Sequence, residues 1–301
     1  MNNLKTDARD RMTAWLFLFP GLLILLFSYV YPLLYSLKLS FSSWDMLDLS
    51  SSMQWNGFGN YVRVLSEPKF LDSLVRTLLF AGGALFLQIF LGMVTALWAT
   101  NENLSSRFTR IVRGMILAPM IISPIVAGIL WRILYSVEYG PINAVLGWFG
   151  IEQRLWIADQ GSALFSVMLV EVWANTSFVT IILVGALLSM SHEPNQAAQV
   201  DGANTWQTFY HVTLPQLKPV LMIVALLRIM DLFKGFDFIY SMTYGGPGDS
   251  TEVLTMFIYK QGIKFLDMTG AAASSWVLMI LLMPFSIYLL RKTLASDSQN
   301  G

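Results

Sequence analysis

Cysteine is absent from the 301 residues of this chain, and charged residues are scarce. The lack of cysteine excludes disulfides, thiolate metal ligands and cysteine nucleophiles. Charged residues make up 13% of the sequence, whereas a soluble domain carries about 25%. Apolar residues make up 55%. We therefore expect most of the outer surface to face a lipid bilayer rather than water.

Motifs for catalysis and for nucleotide binding are also missing. A phosphate-binding P-loop needs Gly-Lys-Ser/Thr, and no Gly-Lys dipeptide occurs in the chain. The two histidines, His192 and His211, are 19 positions apart, and no His, Asp and Glu residues have the spacing of metal ligands. The formal net charge is zero, which gives no indication of a nucleic-acid partner. We expect no catalytic residue, metal or cofactor in this chain.

Long uncharged runs predict an all-α, polytopic membrane protein with about six transmembrane helices. A helix needs about 20 mostly apolar residues to cross the hydrocarbon core of a bilayer, and several runs of the sequence meet this requirement. The predicted spans are about 12–37, 77–101, 114–135, 160–191, 219–242 and 268–290. The whole chain, residues 1–301, is interpreted as a single transmembrane domain.

Clusters of lysine and arginine predict the orientation, because cytoplasmic loops are enriched in these residues. Their totals on the two sides of the predicted membrane are nearly equal, but tight clusters next to span ends occur on one side. The clusters are Arg9 with Arg11, Arg107 with Arg110 and Arg113, and Arg291 with Lys292. With an even number of spans, both termini and the 191–219 connection are then predicted to be cytoplasmic.

The 191–219 connection between the fourth and fifth predicted spans is too long for a simple hairpin loop and contains helix signals. Ser191 is a candidate N-cap, and Glu193 suits the first turn of a helix because an acidic side chain there interacts favourably with the helix dipole. Gly202 is expected to end this first helix in a sharp turn.

A second helix is predicted from Asn204 to about Val212. It presents three aromatic residues on one side, Trp206, Phe209 and Tyr210, which we expect to anchor the element on its own subunit. Ala197 and Ala198 of the first helix leave a slim surface that suits the groove of a partner. The connection is therefore predicted to be a compact helix–turn–helix that projects from the membrane.

This connection resembles the EAA loop of ATP-binding-cassette importer permeases. The family pattern is Glu-Ala-Ala, two residues, Asp-Gly-Ala, and then a Phe and a Leu-Pro pair. The matching residues are Gln196, Ala197, Ala198, Asp201, Gly202, Ala203, Phe209, Leu214 and Pro215. By this resemblance, the first six of them are the residues that couple the permease to its ATPase. Gln196 stands where the family usually has glutamate, which replaces a charged contact by a hydrogen bond.

Three more motifs are similar to signatures of the carbohydrate-uptake branch of that family, which includes maltose, trehalose and glycerol-3-phosphate systems. They are Asn60-Tyr61, Trp156-Ile157-Ala158-Asp159, and Thr243-Tyr244-Gly245-Gly246-Pro247 followed by Thr251. The resemblance implies a type I importer permease fold in the cell (inner) membrane of a bacterium or archaeon. It also implies ATP-driven import of a sugar or sugar-like solute by alternating access.

The resemblance further implies the partners. These are a second, distinct permease subunit, two ATP-binding subunits that hold ATP and Mg²⁺, and an extracytoplasmic solute-binding protein. The chain itself would then hydrolyse no ATP.

Ionisable residues within the predicted spans are functional candidates, because charges are costly in lipid. Four of them, with alternating sign, recur every three residues in the fifth span: Arg228, Asp231, Lys234 and Asp237. They either neutralise one another or line a hydrated cavity that presents donors and acceptors to sugar hydroxyls. Glu171 and Asn175 share a helix face and are candidates for the same cavity. Trp173 is a candidate for stacking on a sugar ring or for helix packing.

Two other kinds of protein were considered. An ion-coupled secondary transporter could use the charges of the fifth span, but such folds show internal repeats of membrane spans, and no convincing repeat is found. An integral-membrane enzyme needs a catalytic constellation, which the sequence lacks. The importer permease is therefore the preferred prediction.

Overall fold

The computed structural model describes residues 3–48, 50–101, 114, 116–191 and 193–297. In this part of the chain helix predominates. The elements in order are α1 (Asn3–Leu25), α2 (Tyr31–Ser40), β1 (Ser42–Ser43), β2 (Gln54–Trp55), α3 (Gly59–Leu65), α4 (Pro68–Ala99), α5 (Pro124–Leu134), α6 (Pro141–Trp148), α7 (Ala163–Ser189), α8 (Glu193–Val200), α9 (Thr205–Thr208), α10 (Leu214–Phe233), α11 (Asp237–Met242), α12 (Leu254–Tyr259) and α13 (Met268–Asp297). Short π or 3₁₀ turns lie at Leu26–Val30, Ala118–Ile121, Phe209–Thr213 and Lys260–Lys264.

The chain divides into two compact units. One consists of Met1–Glu67 and Ile258–Leu278, and the other of Pro68–Phe257 and Met279–Gly301. Every candidate site residue named from the sequence belongs to the second unit. The single domain of residues 1–301 stays a prediction.

Five helical stretches of the described residues are long and apolar enough to cross a bilayer. They are Thr13–Ser40, Pro68–Ala99, Ala163–Ser189, Thr205–Phe233 and Met268–Tyr288. Each overlaps one of the predicted spans. The first is built largely of exposed apolar side chains, such as Phe17 at 79% exposure. Such a surface is expected of a helix that faces lipid.

The third predicted span, 114–135, contains a much shorter helix. The apolar helix α5 has 11 residues and follows a 3₁₀ turn and an extended residue, Ile122. Pro119 and Pro124 lie on either side of this interruption. Because each proline lacks an N–H and disfavours helix in the residue before it, an uncharged run here does not form one continuous helix. Met115 and the basic cluster Arg107, Arg110 and Arg113 lie outside the described residues.

Two of the spanning helices contain a π turn immediately before a proline. In the first, the N–H of Tyr31 bonds to the carbonyl of Leu26, just ahead of Pro32. In the fourth, the N–H of Leu214 bonds to the carbonyl of Phe209, just ahead of Pro215. Helices continue through prolines in membranes where local π adjustments satisfy the freed backbone groups. The predicted second helix from Asn204 is therefore continuous with the span that follows it.

The predicted end of the fifth span at residue 242 is wrong. The helix ends at Phe233, and Lys234 is its C-cap residue. A separate short helix, α11, follows from Asp237. Gly235 lies between the two, and glycine in this position favours an interruption because it stabilises the helical backbone poorly.

The second unit has its apolar core where α4, α7 and α10 pack together. Buried residues from all three helices form it: Met93, Ala96, Val179, Leu183, Leu217 and Val224. The helices approach closely, since a Cβ on Gly92 would lie 2.5 Å from Cγ1 of Val179. Membrane helices have no hydrophobic driving force between them, so their association depends on close packing. Small residues at the interface allow the two backbones to approach closely.

The first unit carries a short antiparallel pair in which Ser42 of β1 is paired with Trp55 of β2. Asn60 fixes the chain next to it, because its side-chain amide donates to the carbonyls of Ser40 at 3.0 Å and Ser42 at 2.7 Å. An ion pair of 2.8 Å joins Arg63 to Asp267 in the same unit.

Candidate functional site

The connection between α7 and α10 begins with α8, as the sequence predicted. The N–H of Glu193 donates to Oγ of Ser191 at 3.3 Å, which confirms that Ser191 caps this helix. Glu193 lies in the first turn. His192 lies outside the described residues.

The turn after α8 is a Schellman motif. Gly202 has φ of +83°, a conformation that is easy for glycine and strained for other residues. The N–H of Ala203 bonds to the carbonyl of Ala198 at 2.9 Å, and that of Gly202 to the carbonyl of Gln199 at 3.1 Å. The first bond spans six residues and the second spans the four residues within them, and this pair of bonds defines the motif. No atom lies within 4 Å of a Cβ placed on Gly202, so the backbone conformation, and not a lack of space, requires glycine.

The next helix begins with a capping box. The N–H of Gln207 donates to Oδ1 of Asn204, and the N–H of Asn204 donates to Oε1 of Gln207, both at 2.9 Å. These bonds satisfy backbone donors that have no partner within the helix. Together with the preceding turn, they give the element a defined helix–turn–helix geometry from contacts within a few residues.

We call Glu193–Thr213 the coupling element. Of the six residues that the resemblance assigns to coupling, Gln196, Ala197, Asp201 and Gly202 are exposed, and Ala198 and Ala203 are half-buried. Two apolar side chains nearby are strongly exposed, Val200 at 88% and Trp206 at 74%. This surface is available to a partner.

The predicted aromatic anchoring is correct for one residue of three. Phe209 packs against the apolar core formed by α4, α7 and α10. Trp206 stacks on Phe209 with ring centroids 5.7 Å apart but stays exposed, and Tyr210 is 59% exposed. The prediction for Tyr210 is wrong because its exposed ring contacts the ring of His211 in the same element, with centroids 5.3 Å apart. A further link to α8 is the bond of 3.4 Å from Oγ1 of Thr213 to Oδ1 of Asn195.

A cavity of about 760 Å³ lies between the coupling element and the end of α4. Its floor is apolar and includes Leu97 and Phe209, and its walls carry side-chain amides. The amide residues are Asn101, Asn195, Gln199 and Asn204.

A buried polar cluster joins the three core helices α4, α7 and α10. Arg228 of α10 is 3% exposed, and its Nη2 lies 2.6 Å from Oε1 of Glu171 of α7. Its Nε donates to Oε1 of Gln88 of α4 at 3.0 Å, and its Nη1 donates to Oδ1 of Asn175 at 3.3 Å. Asn175 in turn donates to Oε1 of Glu171 at 2.9 Å. A charge in lipid needs such pairing.

The structure brings Glu171 and Asn175 together on one face, as predicted, and adds Gln88, which sequence reasoning missed. Gln88 is fully buried and also donates to the backbone carbonyl of Glu171 at 3.3 Å. A signal for it exists, because Gln88 is the one amide side chain between Thr77 and Thr100. An isolated amide within a membrane span usually has a partner across a helix interface.

The four charges of the predicted fifth span do not form a continuous ladder. Nη1 of Arg228 lies 3.3 Å from Oδ2 of Asp231, so the first pair exists. Because the helix ends at Phe233, the three-residue spacing no longer places Lys234 and Asp237 on its face. Both of these residues are exposed.

Trp173 does not join the polar cluster. It packs edge to face against Trp131 of α5, with ring centroids 5.3 Å apart. It is two residues from Glu171 and therefore on another side of α7. A separate cavity of about 350 Å³ adjoins it, lined also by Thr95, Thr176 and Ser177.

The other sequence motifs hold loops in place. The indole N–H of Trp156 donates to Oδ1 of buried Asn143 at 3.1 Å, and Oδ2 of Asp159 accepts from the N–H of Ser162 at 3.0 Å. Hydroxyls of Thr243 and Thr251 are 2.7 Å apart. These contacts order the loops before α7 and after α11.

Comparison with known proteins decides the family. The family described as "Binding-protein-dependent transport system inner membrane component" matches residues 88–297. This chain belongs to that family. The matched region contains the coupling element and the members of the polar cluster from Gln88 to Asp231. The permease is thus a membrane component of a transport system.

Individual relatives cover nearly the whole permease. A probable ABC transporter permease protein, y4oQ of Sinorhizobium fredii, is 35% identical over 94% of this chain and 91% of its own length. The trehalose/maltose transport system permease protein MalF of Thermococcus litoralis is 30% identical over 96% of this chain and 97% of its own.

A solved structure confirms the fold of an importer permease. The crystal structure of a bacterial ABC transporter involved in the import of the acidic polysaccharide alginate aligns with a TM-score of 0.84 and 21% identity. The alignment covers 97% of this chain and 99% of that one.

Proposed function

We propose that this permease is the membrane-spanning subunit of an ATP-driven importer and carries a sugar or sugar-like solute by alternating access. The observation that carries the proposal is the exposed coupling element, whose second half is continuous with a spanning helix, Thr205–Phe233. A displacement of the element would move that helix as a rigid body. Rigid-body motion of helices is a common basis of switching between states.

The partners on the coupling side are two ATP-binding subunits that hold ATP and Mg²⁺. Gln196 and Ala197 of α8, with Asp201 of the following turn, present an exposed polar and small surface, and Val200 and Trp206 add apolar area. Exposed apolar side chains on a projecting element mark an interaction surface. Docking of an ATPase subunit would remove this area from water.

The solute class is proposed from the named relatives and from the polar cluster. The trehalose/maltose permease aligns with almost all of this chain. Asn175 and Asp231 offer an amide and a carboxylate next to the buried Arg228–Glu171 pair, and such groups bond to hydroxyls. A second, distinct permease subunit and an extracytoplasmic solute-binding protein complete the importer.

Trp173, Lys234 and Asp237 are more distant candidates for the solute pathway. Trp173 would act through its separate cavity. Lys234 and Asp237 would act from the exposed break between α10 and α11.

The permease is proposed to lie in the cell (inner) membrane of a bacterium or archaeon, with both termini and the coupling element in the cytoplasm. Since the chain has no cysteine, single cysteines report on sidedness without background. A Val200→Cys variant should react with an impermeant thiol reagent in inside-out vesicles and not in intact cells. Reaction in intact cells would refute the orientation.

Co-purification tests the function. The tagged permease, extracted gently from a host that expresses the whole transport operon, should bring down an ATP-hydrolysing subunit. Substitution of exposed Ala197 by arginine should reduce that recovery, whereas substitution of exposed Phe86 of α4 by leucine should not. A permease that transports fully without any ATPase subunit would instead favour an ion-coupled secondary transporter.

A further inference from the structure

We infer that Asp231 is a specificity-determining residue that makes the solute pathway reject anions and accept uncharged polyhydroxyl solutes. This inference rests on the proposed function, because it assigns a chemical class to the solute that the polar cluster is proposed to bind. It depends on which charges of the polar cluster are buried and which are accessible.

The positive charge of the cluster is buried and committed to partners. The side chain of Arg228 is 4% exposed, and that of Glu171 is 9% exposed. Their separation of 2.6 Å is that of a charge-assisted bond. The remaining guanidinium contacts reach Gln88, Asn175 and Asp231. Arg228 therefore offers no accessible cation to a passing phosphate or carboxylate.

Asp231 is the accessible member of the cluster. Its Oδ2 contacts Nη1 of Arg228 at 3.3 Å, while its side chain is 56% exposed. The cluster thus holds two carboxylates, Glu171 and Asp231, against one guanidinium. Arg228 and Glu171 form a buried pair, so the carboxylate of Asp231 is the ionisable group that the cluster exposes.

The charged residues that follow Asp231 in the chain do not make the exposed surface positive. Lys234 and Asp237 are both exposed, and they carry opposite charges. The exposed ionisable groups of the 231–237 stretch are therefore two carboxylates and one ammonium. An ionised residue at membrane depth faces a bundle interior or a water-filled cavity, which is where a solute would meet Asp231.

A carboxylate in that position discriminates between neutral and anionic solutes. It accepts hydrogen bonds from the hydroxyls of a neutral sugar. It repels phosphate, sulfonate and uronate groups, and this repulsion is stronger than in bulk water because the protein and lipid screen charges less. The proteins to which this chain is similar include a trehalose/maltose permease and an importer of the acidic polysaccharide alginate. With the carboxylate of Asp231 exposed, we expect this permease to carry neutral solutes.

The local potential can be measured without knowing the solute. Leu227 is 41% exposed and lies four residues before Asp231, on the same helix face. In a Leu227→Cys variant of the assembled importer in detergent, we would measure the reaction rates of a trimethylammonium and a sulfonate methanethiosulfonate reagent. Mass spectrometry of this chain, which has no other cysteine, follows the modification.

The cationic reagent should react faster, with a rate ratio about threefold to tenfold above that of a free thiol in solution. Adding Asp231→Asn should return the ratio toward the free-thiol value, because asparagine keeps the shape and loses the charge. Adding Lys234→Gln instead should leave the ratio high or raise it. An unchanged elution profile on gel filtration shows that each variant is folded.

Three results would overturn the inference. They are a ratio below the free-thiol value, a ratio that Asp231→Asn does not alter, and a cysteine that neither reagent reaches. These results are independent of whether an ATPase subunit co-purifies. Failure of the charge selection is therefore distinguishable from failure of the importer proposal.

Discussion

The coupling element and the buried polar cluster are held together by hydrogen bonds of very different range. In the coupling element, the bonds at Gly202 and Asn204 join residues at most five positions apart. In the cluster, Arg228 bonds to Glu171 and Gln88, which are 57 and 140 positions away. The first region is exposed and its stability is local, whereas the second exists only when three helices are packed. Changes in the two regions should therefore have different consequences.

Loss of the buried charge pair should have the largest effect. In Arg228→Leu, Glu171 stays buried without its counter-charge, which destabilises a folded protein by about 3–5 kcal/mol. We expect little folded permease, measured as the monodisperse fraction on fluorescence-detected gel filtration and by its thermal unfolding midpoint.

The control is the double variant Arg228→Leu with Glu171→Leu, which removes both charges. Replacing a whole buried pair by apolar side chains is often tolerated, so part of the folded fraction should return. Equal losses in the single and double variants would contradict the pairing.

A change at the turn of the coupling element should come next. Gly202→Val forces a β-branched residue into φ of +83°, at a cost of about 1–2 kcal/mol. Because the turn is exposed and local, solute uptake and its coupling to ATP hydrolysis should fall while the folded yield stays near that of the parent.

The variant Gly202→Asn distinguishes the effect of backbone strain from the effect of side-chain size. Asparagine adopts the left-handed conformation more readily than valine, and the space around the residue is open. This variant should retain most of the uptake. A loss equal to that of Gly202→Val would show that the side chain obstructs the ATPase contact instead.

Removal of the helix cap should have a smaller effect. Asn204→Ala loses both the side-chain acceptor and the geometry of the capping box, worth about 1 kcal/mol. Hydrogen exchange of the 200–212 peptide should accelerate while exchange in α7 is unchanged. Gln207→Ala, which removes the reciprocal bond alone, should accelerate it less. Equal acceleration in α7 would indicate that the element is not a local unit.

The smallest effect is expected at an ion pair outside the spanning helices. Burial of Asp267 raises its pKa, but the Arg63 guanidinium and the N–H of Gly270 outweigh this, so the pKa lies below its usual range. A lowered pKa stabilises the fold at pH values above the unfolded pKa, and the stabilisation is lost as the pH falls through the folded value.

The thermal midpoint of the permease should therefore fall slightly on acidification, and less so in Asp267→Asn. Arg63 is half exposed, so solvent and salt weaken the pair. A midpoint in the variant with the same acid dependence as the parent would exclude a role for this carboxyl.

Prediction from sequence succeeded where local chemistry dominates. Ser191 and Gly202 were assigned to a cap and a turn from residue type and spacing, and each forms the expected bond or conformation. Asn204 was named only as the start of the second helix, and the structure adds its capping box with Gln207. Prediction failed where a run of apolar residues was assumed to continue as helix. The helix is interrupted at Pro119–Pro124 and ends at Phe233. Both features depend on the backbone properties of proline and glycine, which a hydropathy value does not include.

The members of the polar cluster were predicted in part, and their role in solute binding stays a prediction. Glu171, Asn175 and Asp231 were named because ionisable and amide groups are costly in lipid and occur there mainly at functional sites. The part played by Gln88 and the separate position of Trp173 were not predicted. Helical periodicity shows which residues share a face of one helix, but it does not show which other helix that face meets.

The sequence by itself determined the class of protein, the approximate spans and the helix–turn–helix between α7 and α10, because apolar content, caps and turns act over a few residues. Only the tertiary structure decided that Arg228 is neutralised by Glu171 and held by Gln88, and that Asp231 is the accessible charge of the group. The reason is physical: a buried charge is stabilised by whichever partners the packing of three helices brings within hydrogen-bonding distance, and those partners are far apart along the chain.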